Sequence, residues 1–206
     1  MPAMRATSTP PAARTDGFSA LDACHRKTLE MLDDLSALVA ELERGEQDAA
    51  TRAHAARIAA HFSTTTREHH EDEERHVFPV LVASGQPDVV QAVLRLQQDH
   101  DWLEEDWFDL APQVQAVAAG RRCDIAALRD GSAAFTALYL DHIALEESFI
   151  YPQARSAMDK AERRDMGREM AARHRAERAA RRQIDSGTIS MAPQGHSDTQ
   201  SPQPLQ

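Results

Sequence analysis

Only two cysteines, Cys24 and Cys123, occur in the 206-residue chain. They match no metal-binding or redox spacing and cannot build the disulfide framework of a small secreted domain, so a reducing, cytoplasmic setting is expected. Glycine is scarce at 8 residues and aromatics make up 5%, which argues against a fold built on strands and tight turns. No apolar run approaches the ~20 residues that span a bilayer, and the N-terminal stretch has no apolar segment of the signal type. Basic residues are the minority: 23 Lys and Arg against 33 Asp and Glu leave a net charge of −10. That balance argues against broad binding to nucleic acid or to an anionic membrane. What is plentiful is Ala, Leu, Glu, Arg and Gln, the composition of an all-α protein, and the length suits one ordinary domain with tails to spare.

Residues 1–17 and 185–206 lack hydrophobic periodicity and are expected to be disordered tails. Between them the three-four spacing of apolar residues predicts four long helices. The first, 19–43, carries Leu21, Thr28, Leu32, Leu35, Val39 and Leu42 on one stripe, with His25 among them. The second, 48–83, presents Ile58, Phe62, Thr65, His69, Glu73, His76 and Val80. The third, 87–119, runs from Val89 to Val117 with His100 in its middle, and Pro112 is expected to kink it or end its first part. The fourth, 123–157, aligns Leu128, Phe135, Leu138, His142, Leu145, Glu146 and Phe149. A fifth, Arg-rich helix over 159–183, within a segment 158–184, has a weak stripe of Met166, Met170 and His174 and reads as a solvated cap. Four long helices with short connections bury their stripes best as an antiparallel up-down-up-down four-helix bundle.

The chemistry lies in a repeat. Residues 69–79 read HHEDEERHVFP, and 73 residues later 142–152 read HIALEESFIYP; both are H-x-x-x-E-E-x-x-x-[FY]-P. A histidine and a glutamate four apart share a helical face, so His69 with Glu73 and His142 with Glu146 can each converge on one point. The first and third helices each add one histidine from their own stripe, His25 and His100. Two carboxylates and four imidazoles are costly to bury without partners, and cations satisfy them together. Four nitrogens and two oxygens exceed the needs of one tetrahedral zinc, and imidazole with carboxylate suits iron or manganese. The economical arrangement has two ions, each taking two histidines and sharing both glutamates.

This constellation resembles the hemerythrin-like HHE cation-binding family over about residues 18–157. The resemblance implies a four-helix bundle holding two non-haem iron ions, with manganese or zinc less favoured. It implies His25, His69, Glu73, His100, His142 and Glu146 as the ligands. The histidine spacings of 44, 31 and 42 are similar to those of the iron-cluster-repair di-iron proteins in this superfamily. Those proteins usually carry a cysteine-bearing N-terminal domain, whereas residues 1–17 contain no cysteine. Oxygen-carrying hemerythrins have a fifth histidine one turn after the third-helix ligand, where this chain has Glu104. If Glu104 coordinates, a harder third carboxylate makes a poor oxygen carrier. The carriers' last carboxylate falls where Glu147 stands, which leaves Glu146 and Glu147 as alternatives, the repeat favouring Glu146. Glu104, Glu147, Glu74 and His76 are thus further candidates as ligands or outer partners. His61 and His70, with Glu74 and His76, are expected on solvated faces or as outer hydrogen-bond partners, and Cys24 as a small packing residue.

Three functions follow as expectations. The first is a di-iron protein, more a binder than an enzyme, that binds or senses oxygen or nitric oxide or handles iron, with pocket walls from Leu103, Trp107 and Phe149. The second is a redox enzyme using the same centre in iron-sulfur repair or peroxide turnover. The third is a metal-free helical interaction module.

Overall fold

The computed structural model describes residues 16–189, and every regular element among the described residues is helical. Helix α1 spans Gly17–Glu43. It starts before the apolar stripe because the Asp16 carboxylate accepts the Phe18 amide at 3.0 Å, capping an otherwise unpaired donor. Gly45 then turns the chain with φ +80°, a conformation glycine adopts without strain. Helix α2, Ala49–Ala60, is capped in the same way by Asp48.

The second predicted helix is interrupted twice. After α2 comes a π turn, His61–Thr65, then α3, Thr66–His76, and α4, Phe78–Ala83. Pro79 has no amide hydrogen to continue the ladder, so the chain breaks at Val77 and restarts with proline in the first turn of α4. The third predicted helix is one element, α5, Pro87–Ala118, which continues through Pro112 instead of ending there. Helix α6, Ile125–Leu145, leads into a second π turn, Glu146–Ile150, and then α7, Tyr151–Ala157. The proline-containing repeats therefore restart short helices.

The last helix, α8, spans Lys160–Ile189, past the expected end at 183, because no proline interrupts that stretch. Up to Met170 it belongs with the bundle, and Met166 and Met170 are buried there, so this part is packed as well as solvated. From Ala171 the chain is a separate unit, where Glu177 pairs with Arg173 and Arg181 one turn away on either side. The expected tails fall mainly on residues 1–15 and 190–206, outside the described residues.

In the bundle, α1 packs on α2 and α6, and α5 packs on the same two, closing a ring. Its interior has two apolar clusters. One gathers Leu32, Leu35, Phe62, Leu103, Val114 and Phe135 among others; the other gathers Phe18, Phe78, Val93, Leu96, Ile150 and Met166. A polar layer separates them, because His25 on α1 and His100 on α5 lie in sequence between the residues of one cluster and those of the other, as Glu146 does between Ile143 and Ile150.

Candidate metal centre

All six histidines and glutamates of the repeat constellation meet in this layer and are buried, with Glu73 and Glu146 at 0% exposure. Glu73 turns one oxygen toward His69 Nε2 at 3.4 Å and His25 Nε2 at 4.0 Å, and the other toward His100 Nε2 at 3.5 Å. Glu146 offers Oε2 to His25 Nε2 at 3.1 Å and His142 Nε2 at 3.3 Å, and Oε1 to His100 Nε2 at 3.9 Å. Each carboxylate thus faces histidines from both sides of the layer.

The π turn explains an aromatic after the second carboxylate. Its backbone bond runs from the Tyr151 amide to the Glu146 carbonyl, five residues back. Residues five apart then fall one turn apart on one face, whereas in an α-helix they would be ~140° around. Tyr151 is thereby directed inward. Its ring stacks on His25 at 5.2 Å, and its hydroxyl donates to Glu73 and lies 3.2 Å from His25 Nε2. Phe78, the matching residue of the first repeat, stacks on His100 at 5.6 Å.

The neighbouring glutamates differ in direction. Glu146 is inside; Glu147 is 50% exposed and accepts from His25 Nδ1 at 3.0 Å. Glu74 does the same for His100 Nδ1 at 2.9 Å. Both are outer partners that hold a ring so that Nε2 faces the centre. The buried Asp99 lies 3.9 Å from His142 Nδ1.

Several side chains lie elsewhere than the sequence pattern suggests. His76 is not on the inner face: it bonds Glu169 at 2.6 Å, and Val77 is buried in its stead. The π turn His61–Thr65 rotates the rest of this helical segment, so a stripe extrapolated at constant pitch drifts off the core. The same rotation buries His70, expected outside, and brings Thr66 inward in place of Thr65; the Thr66 hydroxyl caps the Phe62 carbonyl at 3.0 Å. His61 is also buried, against Thr28 Oγ1 at 3.0 Å. Glu104 is 58% exposed, 3.9 Å from Arg67, and joins no group of converging ligands. Both line the mouth of an open pocket of about 360 Å³ walled by Phe62, Leu103, Trp107 and Tyr139. Phe149 is not among its walls and instead packs against the other apolar cluster.

Burial and charge oppose each other here. Burial works against protonation of His25, yet the carboxylate of Glu146 beside it raises it to about 9. His100 is also buried and is raised well above the ordinary histidine value by the carboxylates of Glu146, Glu73 and Glu74 around it. Burial would raise Glu73, but His69, His100 and His25 hold it well below the usual carboxylate range. Burial pulls His69 down to about 4. Without cations, two carboxylates are therefore balanced by protons on His25 and His100.

The donor set fits metal ions. Both nitrogens of His69 and His142, Nε2 of His100, Oε2 of Glu73 and both oxygens of Glu146 are buried with no hydrogen-bond partner. Native interiors rarely tolerate such a cluster. Two sets that include both carboxylates have ligand atoms within 4.8 Å of one another: His25, His69, Glu73 and Glu146, and Glu73, His100, His142 and Glu146. They overlap at both carboxylates.

The family model for the hemerythrin HHE cation binding domain matches residues 16–154. The chain belongs to this family. The match covers every residue of the polar layer. A relative of this hemerythrin HHE domain protein is an uncharacterized protein of Haemophilus influenzae, 31% identical over 153 residues, which cover 74% of this chain and 87% of the relative.

Proposed function

We propose that this chain is a non-haem di-iron protein that binds or senses a small ligand such as oxygen or nitric oxide, or handles iron. The observation that carries the reading is the sharing of Glu73 and Glu146 by two sets of converging ligands, each completed by a different pair of histidines. Mixed imidazole and carboxylate ligation suits iron, ahead of manganese or zinc. A bound iron pair supplies a change of oxidation state and open coordination positions.

The chain's own residues do the rest. Glu147 and Glu74 fix the tautomers of His25 and His100. Tyr151 donates a hydrogen bond from its hydroxyl to Glu73. The apolar clusters on either side keep bulk water from the carboxylates. An antiparallel up-down-up-down course of the long helical segments is part of the reading, supported by their short connections. So is a cytoplasmic setting, which suits free Cys24 and Cys123; burial first, then Glu73, raises the Cys24 thiol to about 12, which leaves it inert. No helix among the described residues is long and apolar enough to cross a membrane.

Against a metal-free interaction module stand the unpartnered buried donors and acceptors, which a register-fixing polar layer would pair with one another. Elemental analysis of gently purified protein should return two irons per chain, with a visible spectrum that changes on exposure to oxygen or nitric oxide. One zinc per chain, or no metal, overturns the reading.

A further inference from the structure

None of the six residues assigned to the metal centre lines the open pocket beside it. At about 360 Å³ the pocket is roughly ten times a water molecule's ~30 Å³ share of the liquid, so a diatomic ligand leaves it almost empty. The size suits a small organic molecule. Phe62, Leu103, Trp107 and Tyr139 form its walls. The hydroxyls between them are already engaged: Ser63 accepts from the Trp107 indole at 3.1 Å, and Thr66 donates to the Phe62 carbonyl at 3.0 Å. His70 closes the inner end, its ring flat on His100 with centroids 4.0 Å apart. Such walls favour a flat apolar body that stacks on aromatic rings.

The mouth has the opposite character. Arg67 supplies its one guanidinium, and Glu104 and Glu71 each stand 3.9 Å from it, so the carboxylates outnumber the cation. Asp101, Glu105 and Asp109 line the adjoining surface hollow, which shares Glu104 and Phe108 with the pocket. A mouth of this sign draws cations and repels anions. Glu104, Phe108 and Pro112 follow one another a turn apart on α5 and all line the pocket. Pro112 has no amide hydrogen to give the Phe108 carbonyl, which adds an acceptor one turn from the Glu104 carboxylate. Phe108 is 79% exposed, the most exposed large apolar side chain among the described residues. Its ring offers a π face to a cation at the same place.

We propose that this pocket binds an organic monoamine. Its flat apolar body lies against Phe62, Trp107 and Tyr139, and its ammonium stays at the mouth, on the Glu104 carboxylate and the carbonyl and ring of Phe108. The site uses none of the metal ligands and does not rest on the two-metal reading. It gives Glu104 a role that its distance from the converging ligands otherwise leaves empty, and it accounts for an exposed phenylalanine beside carboxylates. An amine held there is separated from His100 by the single ring of His70.

Calorimetric titration of the protein as purified, with phenethylamine as the probe, tests the proposal. A molecule of this size should bind with a Kd on the order of 1 mM or tighter. Phenethyl alcohol, which keeps the body and lacks the charge, should bind ~10-fold more weakly, and the carboxylate hydrocinnamate more weakly still. Glu104→Gln should weaken the amine ~5-fold and leave the alcohol unchanged. Location is read separately: in Trp102→Phe, Trp107 is the one remaining tryptophan, and its emission should change as the amine saturates. The proposal is overturned if the unaltered chain does not bind the amine, or if the alcohol or the carboxylate binds as tightly. Heat of binding with no change at Trp107 also overturns it, because the amine then sits elsewhere. Metal content measured on the same sample keeps a failure of the di-iron reading distinct from a failure of this one.

Discussion

Glu147 accepts a hydrogen bond from His25 Nδ1 at 3.0 Å, although 122 residues separate them, and Glu74 does the same for His100 at 2.9 Å. These residues occupy the same place in the two repeats, directly after the inward carboxylate. Each fixes a tautomer that directs Nε2 at the centre. Glu147→Ala and Glu74→Ala should each weaken metal binding about 10- to 100-fold with every inward ligand still present. Competition with a calibrated chelator measures this. Unchanged affinity in both variants would reduce the two contacts to surface pairing.

His69→Ala and His142→Ala should lose metal to a similar extent, because each removes one nitrogen from one of two overlapping sets. Metal content per chain after desalting is the readout. Full occupancy in either variant contradicts the assignment.

The metal-free protein should be most stable near the ordinary histidine value of ~6.5. His25, held up to about 9 chiefly by Glu146 against burial, contributes stability that is complete below ~6.5 and is lost as pH climbs through 9. His69, which burial lowers to about 4, contributes stability that is complete above ~6.5 and is lost as pH falls toward 4. Urea midpoints of the chelator-treated chain should therefore fall on both sides of this maximum. A midpoint still rising from pH 6.5 to 9 would contradict the charge balance drawn here. For the same reason, metal uptake near neutral pH should release protons from His25 and His100, measurable in weakly buffered solution.

Glu104→Ala and Glu104→His should leave metal content and visible spectrum unchanged, since the side chain is 58% exposed beside Arg67. A shifted spectrum in either variant would place it at the metals after all.

Much of this was legible in the sequence because the information was local and periodic. His69 with Glu73 and His142 with Glu146 are one α-helical turn apart, and no distortion intervenes within either pair. His25 and His100 sit on unbroken stripes of α1 and α5, so extrapolation at constant pitch placed them correctly. His70 and His76 were misplaced for one reason: the π turn ahead of them rotates the face, and HFSTT carries no proline or glycine to announce it. Glu146 and Glu147 could be separated only by direction, which spacing alone leaves open. Tyr151 gave the weakest signal, as an aromatic five residues after a glutamate leaves the α-helical face and comes inward only where the helix is interrupted, by the π turn here and by the break at Val77 before Phe78.

Neither set of converging ligands can be assembled from one stretch of chain. The set with His25 and His69 needs Glu146, and the set with His142 needs Glu73. During synthesis, the ribosome releases α1, α2 and α3 well before the residue that completes even the first set. On the proposed function, a nascent chain would be a poor competitor for metal until the second repeat has emerged and folded back. A product truncated before Glu146 should remain metal-poor however well its helices form. On the proposed function, metal acquisition would wait for the second repeat, and a loaded centre would certify that both repeats have found each other.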